Sequence, residues 1–179
     1  MVMNNLHQFK IKLGEPLLEK FADPPEDILG ELSHFEMGIR RFCYEGDRPI
    51  FIQIGEAQIQ VFLDPDISML LEDNLPAKIA QLSRGETIRL EFVESCCATI
   101  ELVPVGSKVN CNLQYFGYST DNNNFSLNGS YKQFQLDRQQ VLETLTDFLI
   151  KISDMAAEKG YITRQERDDF LSSTIVIFR

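Results

Sequence analysis

Between Ile50 and Leu63 nearly every second residue is apolar. Ile50, Ile52 and Ile54 fall on one face of an extended chain, and Ile59, Val61 and Leu63 do the same after Gly55–Glu56. A period of two, broken by a glycine-containing bend, predicts a β-hairpin. Upstream, the alternation of His7–Leu13 predicts a short strand. Asp23, followed by Pro25 in a first-turn position, predicts a capped short helix. The stretch "SHFEMGIRRF" that follows is read as a strand from its aromatics and isoleucine.

After Leu63 the period changes. Asp64 is positioned to cap a helix with Pro65 in its first position; Pro76 interrupts or restarts that helix, and Gly85 ends it. Alternation then returns. Ile88, Leu90 and Phe92 are interleaved with Arg89, Glu91 and Glu94, while Ile100 and Leu102 flank Glu101. Bringing both apolar sets to one face with a loop over Ser95–Cys97 predicts Phe92 opposite Ile100, and Glu91 opposite Glu101. Val109, Cys111, Leu113 and Tyr115 define one face of a further strand, with Asn110, Asn112 and Gln114 on the other. Asn128–Gly129 then predicts a tight hairpin turn.

The strongest helical pattern lies near the C-terminus. Asp137 and Gln140 form a capping-box-like entry, and Val141, Leu142, Leu145, Phe148, Leu149, Ile152 and Ala156 recur at helical spacing until Gly160. Thr163 and Glu166 open another helix, and the chain reaches an apolar "TIVIF". The expectation is one α+β domain over residues 1–179. It is an antiparallel meander of hairpins with the long C-terminal helix and shorter helices packed on one face.

Composition adds a charge. The chain of 179 residues carries a formal −10, concentrated in two stretches: Gly14–Glu36, net −6, and Asp64–Glu101, net −5. Such a field repels nucleic acid and anionic lipid and accelerates encounter with a basic partner. No apolar run reaches the ~20 residues of a membrane span, and the alternating N-terminus lacks the apolar core of a secretory signal. With four cysteines, these features predict a cytoplasmic protein with free thiols.

The side chains that advertise chemistry are few. Cys96 and Cys97 are adjacent, so in a strand they point to opposite faces, and two thiols fall short of a four-ligand zinc site. They are read as small apolar residues near a turn. His7 and His34 are the only histidines, and neither sits in a nucleophile-elbow or HExxH context. Glycine-rich phosphate loops are absent. "DPDISMLLEDNL" and "DNNNFSLNGSYK" lack the central glycine and closing glutamate of a calcium loop. Glu91 and Glu101 could act as an acid–base pair only within a cleft; otherwise they belong to a solvated or partner-facing sheet face. The aromatic run Tyr115–Tyr118 lacks the basic surroundings of a base-stacking site, and Tyr118 is read as an interface anchor. No metal, cofactor or catalytic residue is predicted.

The run from Asp66 to Tyr118 resembles, in its helix-then-meander layout, small bacterial immunity proteins paired with polymorphic or contact-delivered toxins. The likeness covers less than a third of the chain and includes no motif, so it transfers no residue roles. It implies a cytosolic inhibitor that occludes a basic toxin domain. The acids that would meet such a cleft are Asp64, Asp66, Glu72, Asp73, Glu91, Glu94 and Glu101. Two other readings stay open. One is a small-molecule-binding or enzymatic domain with a pocket between sheet and long helix, lined by His34, Tyr115 or Cys111. The other is an adaptor subunit pairing through "TIVIF" as an edge strand.

Overall fold

The computed structural model describes residues 6–20, 23–119 and 126–175, with the side chains of all except 116–119, 126–129, 173 and 175. Within them the fold is α+β. Seven strands form two antiparallel sheets, and the long C-terminal helix packs against strands of both.

The first sheet has the order β1-β2-β3: β1 (Phe9–Leu13), β2 (Pro49–Ile54) and β3 (Ala57–Phe62). The β2–β3 hairpin is the one expected from the alternation, with Ile52 opposite Ile59 and Ile50 opposite Val61. All four of these side chains are buried, so the common apolar face fixes the register. The second sheet has the order β4-β5-β6-β7: β4 (Ile88–Phe92), β5 (Ala98–Val105), β6 (Lys108–Ser119) and β7 (Ser126–Asp137). A bridge from His7 to Leu136 ties the segment before β1 to β7.

Two expectations about the second sheet are corrected. Phe92 lies opposite Ala98, and Ile100 opposite Leu90, so Glu101 faces Arg89 and Glu91 faces Thr99. This shift keeps Leu90 and Ile100 stacked on the core and replaces a like-charge pair by an opposite-charge one. It is made possible by a loop spanning 93–97, in which Cys97 adopts a positive φ of 46°. Asn128 and Gly129 do not form a turn: they pair with Gly117 and Phe116 inside β7. Residues 120–125, and with them the expected asparagine loop, lie outside the described residues.

The segment "SHFEMGIRRF" is helical, not extended. In α1 (His34–Glu45) the Ser33 hydroxyl accepts from Glu36 N at 3.2 Å, and the Glu36 carboxylate accepts from Ser33 N at 2.8 Å. That reciprocal cap satisfies donors left over at the helix start, and Ile39, Phe42 and Cys43 then fall on one buried stripe. Gly38 lets this stripe approach the corner at Tyr161, since a Cβ there would lie 2.2 Å from the Tyr161 carbonyl oxygen.

No helix follows Asp23. Asp64 has the extended backbone of a cap (φ −119°, ψ 125°) ahead of Pro65, but no side-chain cap hydrogen bond forms at the wide turn Leu63–Ile67. The helix continues as α2 (Ser68–Glu72) and restarts as α3 (Leu75–Ser83), which Asn74 caps by accepting from Ala77 N at 3.3 Å.

The helix α4 (Arg138–Glu158) has the expected bounds, with Asp137 accepting from Gln140 N at 2.8 Å. Its buried face is the apolar set read from the spacing. In α5 (Arg164–Ile175), Thr163 and Glu166 bond reciprocally at 2.7 and 3.1 Å. Thr174 and Ile175 are therefore helical rather than part of an edge strand, and the rest of "TIVIF" lies outside the described residues. Side chains from both sheets and all five α-helices join one buried cluster.

Candidate functional site

The acids nominated from the sequence are not gathered at one site: Glu91 and Glu101 line a hollow of about 260 Å³ on the second sheet with Arg89, Asn112 and Tyr131, and the others lie elsewhere. Asp66 is 2% exposed and sits beneath the loop between β4 and β5. Its Oδ2 accepts from Phe62 N at 2.9 Å and from the Ser95 hydroxyl, while Oδ1 has no partner. Asp66 is thus an internal tie between β3 and the cysteine-containing loop. Asp64 is half-buried near Asp47, whose Oδ1 accepts from Asp64 N at 3.0 Å. Burial pushes both carboxyls above their usual range, and the nearness of the Asp47 charge adds to the effect on Asp64.

Glu72 is held by both Nε and a terminal nitrogen of Arg40, at 2.5 and 3.0 Å. Asp73 pairs with Lys78 at 2.9 Å. Glu101, on the outer face of the second sheet, pairs with Arg89 at 2.8 Å and accepts from Asn112 at 2.9 Å. The Asn112 and Arg89 hydrogen bonds hold its carboxyl below the usual range. Gln133 extends this network by donating to Asn112 Oδ1 and to the Tyr131 hydroxyl. Glu91 shares that face and Glu94 lies in the 93–97 loop; both are exposed, with no ion-pair partner among the described residues. Tyr118 pairs with Leu127 along β6 and β7, and its side chain lies outside the described set.

The cysteines are free. Cys43 and Cys111 are fully buried, and burial drives both thiols upward, Cys111 to about 12. Cys96 packs partly against the core, while Cys97 Sγ lies 3.5 Å from the Val93 carbonyl. His34, at the surface, bonds through Nδ1 to Glu166 at 2.9 Å. With Cys111 sealed in the core and Tyr115 exposed on β6, these three do not converge on a pocket. Among the described residues no three His, Cys, Asp or Glu side chains are placed to hold a metal, and no helix is long and apolar enough to cross a membrane.

A different surface emerges from the other acidic stretch. Asp27 folds a tight turn on itself: its two carboxylate oxygens accept from Glu31 N and Leu32 N, each at 3.0 Å, and Gly30 takes a positive φ of 67°. This carboxylate-braced turn displays Ile28 and Leu29 at the tip, 86% and 77% exposed. Asp23, Glu26 and Glu31 flank the pair along the chain, and no basic residue interrupts them from Asp23 to Glu31. Leu18, earlier in the same acidic stretch, is also fully exposed. Sequence reasoning missed this site because it registered the charge of the segment and not its two adjacent aliphatics. The "EDILGEL" pattern, aliphatics before a glycine between acids, was the available signal.

A cavity of about 480 Å³ is lined by Leu17, Tyr44, Phe62 and Pro65 with Lys20, Asp47 and Asp64. Lys20 donates to the carbonyls of Tyr44 and Glu45 at 2.6 and 2.7 Å, where the end of α1 presents its unpaired carbonyls.

No protein-family model, curated protein or solved structure matches the chain.

Proposed function

We propose that this chain is a non-catalytic protein-binding module that engages a basic partner through the Asp23–Glu31 turn. The observation that carries this reading is the display of Ile28 and Leu29 on a turn braced by Asp27, flanked by Asp23, Glu26 and Glu31, which have no ion-pair partner among the described residues. Large aliphatics exposed side by side on a turn braced by its own hydrogen bonds suit a pocket on another protein, and they enter it with little ordering cost. The flanking carboxylates would steer a cationic surface toward that contact and raise the association rate more than the final affinity. Within this class, an immunity protein that occludes the cleft of a bacterial toxin acting in the cytosol fits the charge and the helix-then-meander layout. Glu91 and Glu94, exposed and without an ion-pair partner among the described residues, would extend the steering field.

The test is co-expression with the protein encoded by the adjacent gene, combined with calorimetry on the purified pair. The reading expects the neighbour to arrest growth when expressed alone, and this chain to restore it. Binding should weaken as salt rises, and the double substitution Ile28→Asp, Leu29→Asp should cost roughly 30-fold in affinity, the size of a central anchor. Absence of both toxicity and binding would remove the immunity role. Binding untouched by the double substitution would remove the turn as its site.

A small-molecule role is favoured by one observation, the cavity at Lys20, Asp47 and Asp64, whose volume is in the range of ligand pockets. Native mass spectrometry of the purified chain decides it: a stoichiometric adduct lost in Asp64→Asn supports a ligand, and a bare mass sets the role aside.

A further inference from the structure

The edge of β1 is open on the side that faces α4, and the sheet register shows which of its groups are free. Gly55 N donates to Gln8 O at 2.9 Å, and Gly14 N donates to Pro49 O at 2.8 Å. In the register that pairs Phe9 with Ile54 and Leu13 with Ile50, the even-numbered residues of β1 therefore turn their amide and carbonyl toward β2. Phe9, Ile11 and Leu13 turn theirs outward. Those of Phe9 are taken: its N–H donates to Gln140 Oε1 at 3.2 Å, and its carbonyl accepts from Gln140 Nε2 and from Thr144 Oγ1. The Gln140 carboxamide thus binds Phe9 as a peptide group of a fourth strand would. Beyond it the imitation stops. No hydrogen bond among the described residues reaches the outward groups of Ile11 and Leu13, which open into a groove of about 580 Å³ floored by Phe148.

The groove also has a sign. In a chain of net −10, its rim carries Lys10, Lys12 and Lys151 against the single acid Asp147. Lys10 and Lys12 are exposed on the solvent face of β1, while Phe9 is buried and Ile11 and Leu13 are half-buried on the core face.

We propose that the β1 edge binds an extended segment of another protein whose solvent-facing residues are acidic. The segment would add a strand between β1 and α4. Its alternate residues would bond to Ile11 and Leu13 and lay small apolar side chains against Phe148. The residues between them would set carboxylates opposite Lys10 and Lys12. A second copy of this chain is a poor occupant. Antiparallel pairing of two β1 edges must match odd-numbered residues with odd, which sets Lys10 and Lys12 against the same lysines of the copy, and like charges directly opposite destabilise a sheet. Lysines along an edge are the usual guard against that self-pairing, and here they admit a partner of the opposite charge. The site is of opposite sign to the Asp23–Glu31 turn and does not depend on it.

The probe is an eight-residue peptide of alternating glutamate and valine, acetylated and amidated at its ends and carrying a fluorophore. Fluorescence anisotropy reads its affinity for the full chain, and amide exchange by NMR reads the edge. The expected result is saturable binding with slowed exchange at the Ile11 and Leu13 amides. N-methylation of the valines, which removes the strand hydrogen bonds while keeping charge and composition, should weaken binding at least tenfold. The exposed double substitution Lys10→Glu, Lys12→Glu should do the same and transfer preference to a lysine–valine peptide. Equal binding of the N-methylated peptide overturns the proposal without recourse to any variant. So does absence of binding, or concentration-dependent dimerisation in sedimentation that protects Ile11 with no peptide present.

Discussion

The two acidic stretches carry nearly the same charge, yet the fold uses them in opposite ways. Between Asp64 and Glu101 the acids are mostly committed: Asp66 is buried beneath a loop, Glu72 is clasped by Arg40, and Asp73 and Glu101 are paired with Lys78 and Arg89. Between Gly14 and Glu36 the one basic side chain, Lys20, is spent on the backbone carbonyls at the end of α1. Asp27 and Glu36 shape turns and caps, which leaves Glu15, Glu19, Asp23, Glu26 and Glu31 exposed. Counting charge along a chain gives the field at a distance. Only the hydrogen-bond and ion-pair partners tell which carboxylates a second molecule could reach.

Removing Asp66 should break this contrast most severely. Asp66→Ala leaves Phe62 N–H and the Ser95 hydroxyl without their acceptor, which is expected to cost about 3 kcal/mol in urea unfolding. Asp66→Asn, which keeps a carbonyl oxygen in place, should recover much of that loss. If Asp66→Ala unfolds like the parent, the carboxyl does not tie the loop down. The reverse signature is expected at the turn. Ile28→Asp with Leu29→Asp should change folding stability by less than about 0.5 kcal/mol while weakening partner binding roughly 30-fold, because both side chains already face water. A large stability loss there would mean that the tip is packed in solution.

The elements legible from the sequence were those whose signal is local. The β2–β3 hairpin and α4 each carry a full apolar period together with a turn or cap, so tertiary context had nothing to override. α1 was misread because two aromatics and an isoleucine suggested a strand, although Ser33 and Glu36 spelled out its reciprocal cap. The β4–β5 register turned on the residues a loop absorbs, and a positive φ at Cys97 is not something a cysteine signals. Asn128–Gly129 failed as a turn because β6 supplies a pairing partner for both residues. The acids were legible as charge and illegible as a site, since Arg40 and Glu72 are 32 residues apart in sequence.

A smaller effect separates ion pair from tie. Glu72→Gln, at a largely solvated contact with Arg40, is expected to cost no more than about 1 kcal/mol in the same unfolding measurement, and to leave partner affinity within error. A drop in affinity comparable to that of the Ile28 and Leu29 pair would move the binding face to α2.

The smallest expected effect lies in pH dependence, where the two kinds of acid should show opposite slopes. Burial raises the Asp47 and Asp64 carboxyls in the folded chain. Their favourable contribution is therefore complete below the unfolded value of about 4 and is lost as pH rises through the raised folded value. Glu101 is held low by Asn112 and Arg89, so its contribution is present above its unfolded value and fades on acidification. Asp47→Asn retains an oxygen to accept the Asp64 N–H and no longer titrates. Its melting temperature should exceed the parent's at pH 7, by at most about 3 °C, and converge with it near pH 3. Glu101→Gln should fall below the parent at pH 7 and converge with it in acid. Thermal melts from pH 3 to pH 7 check both; parallel curves for Asp47→Asn and parent would mean that water reaches Asp47 freely, and that the cavity beside Lys20 is no drier than the surface around it.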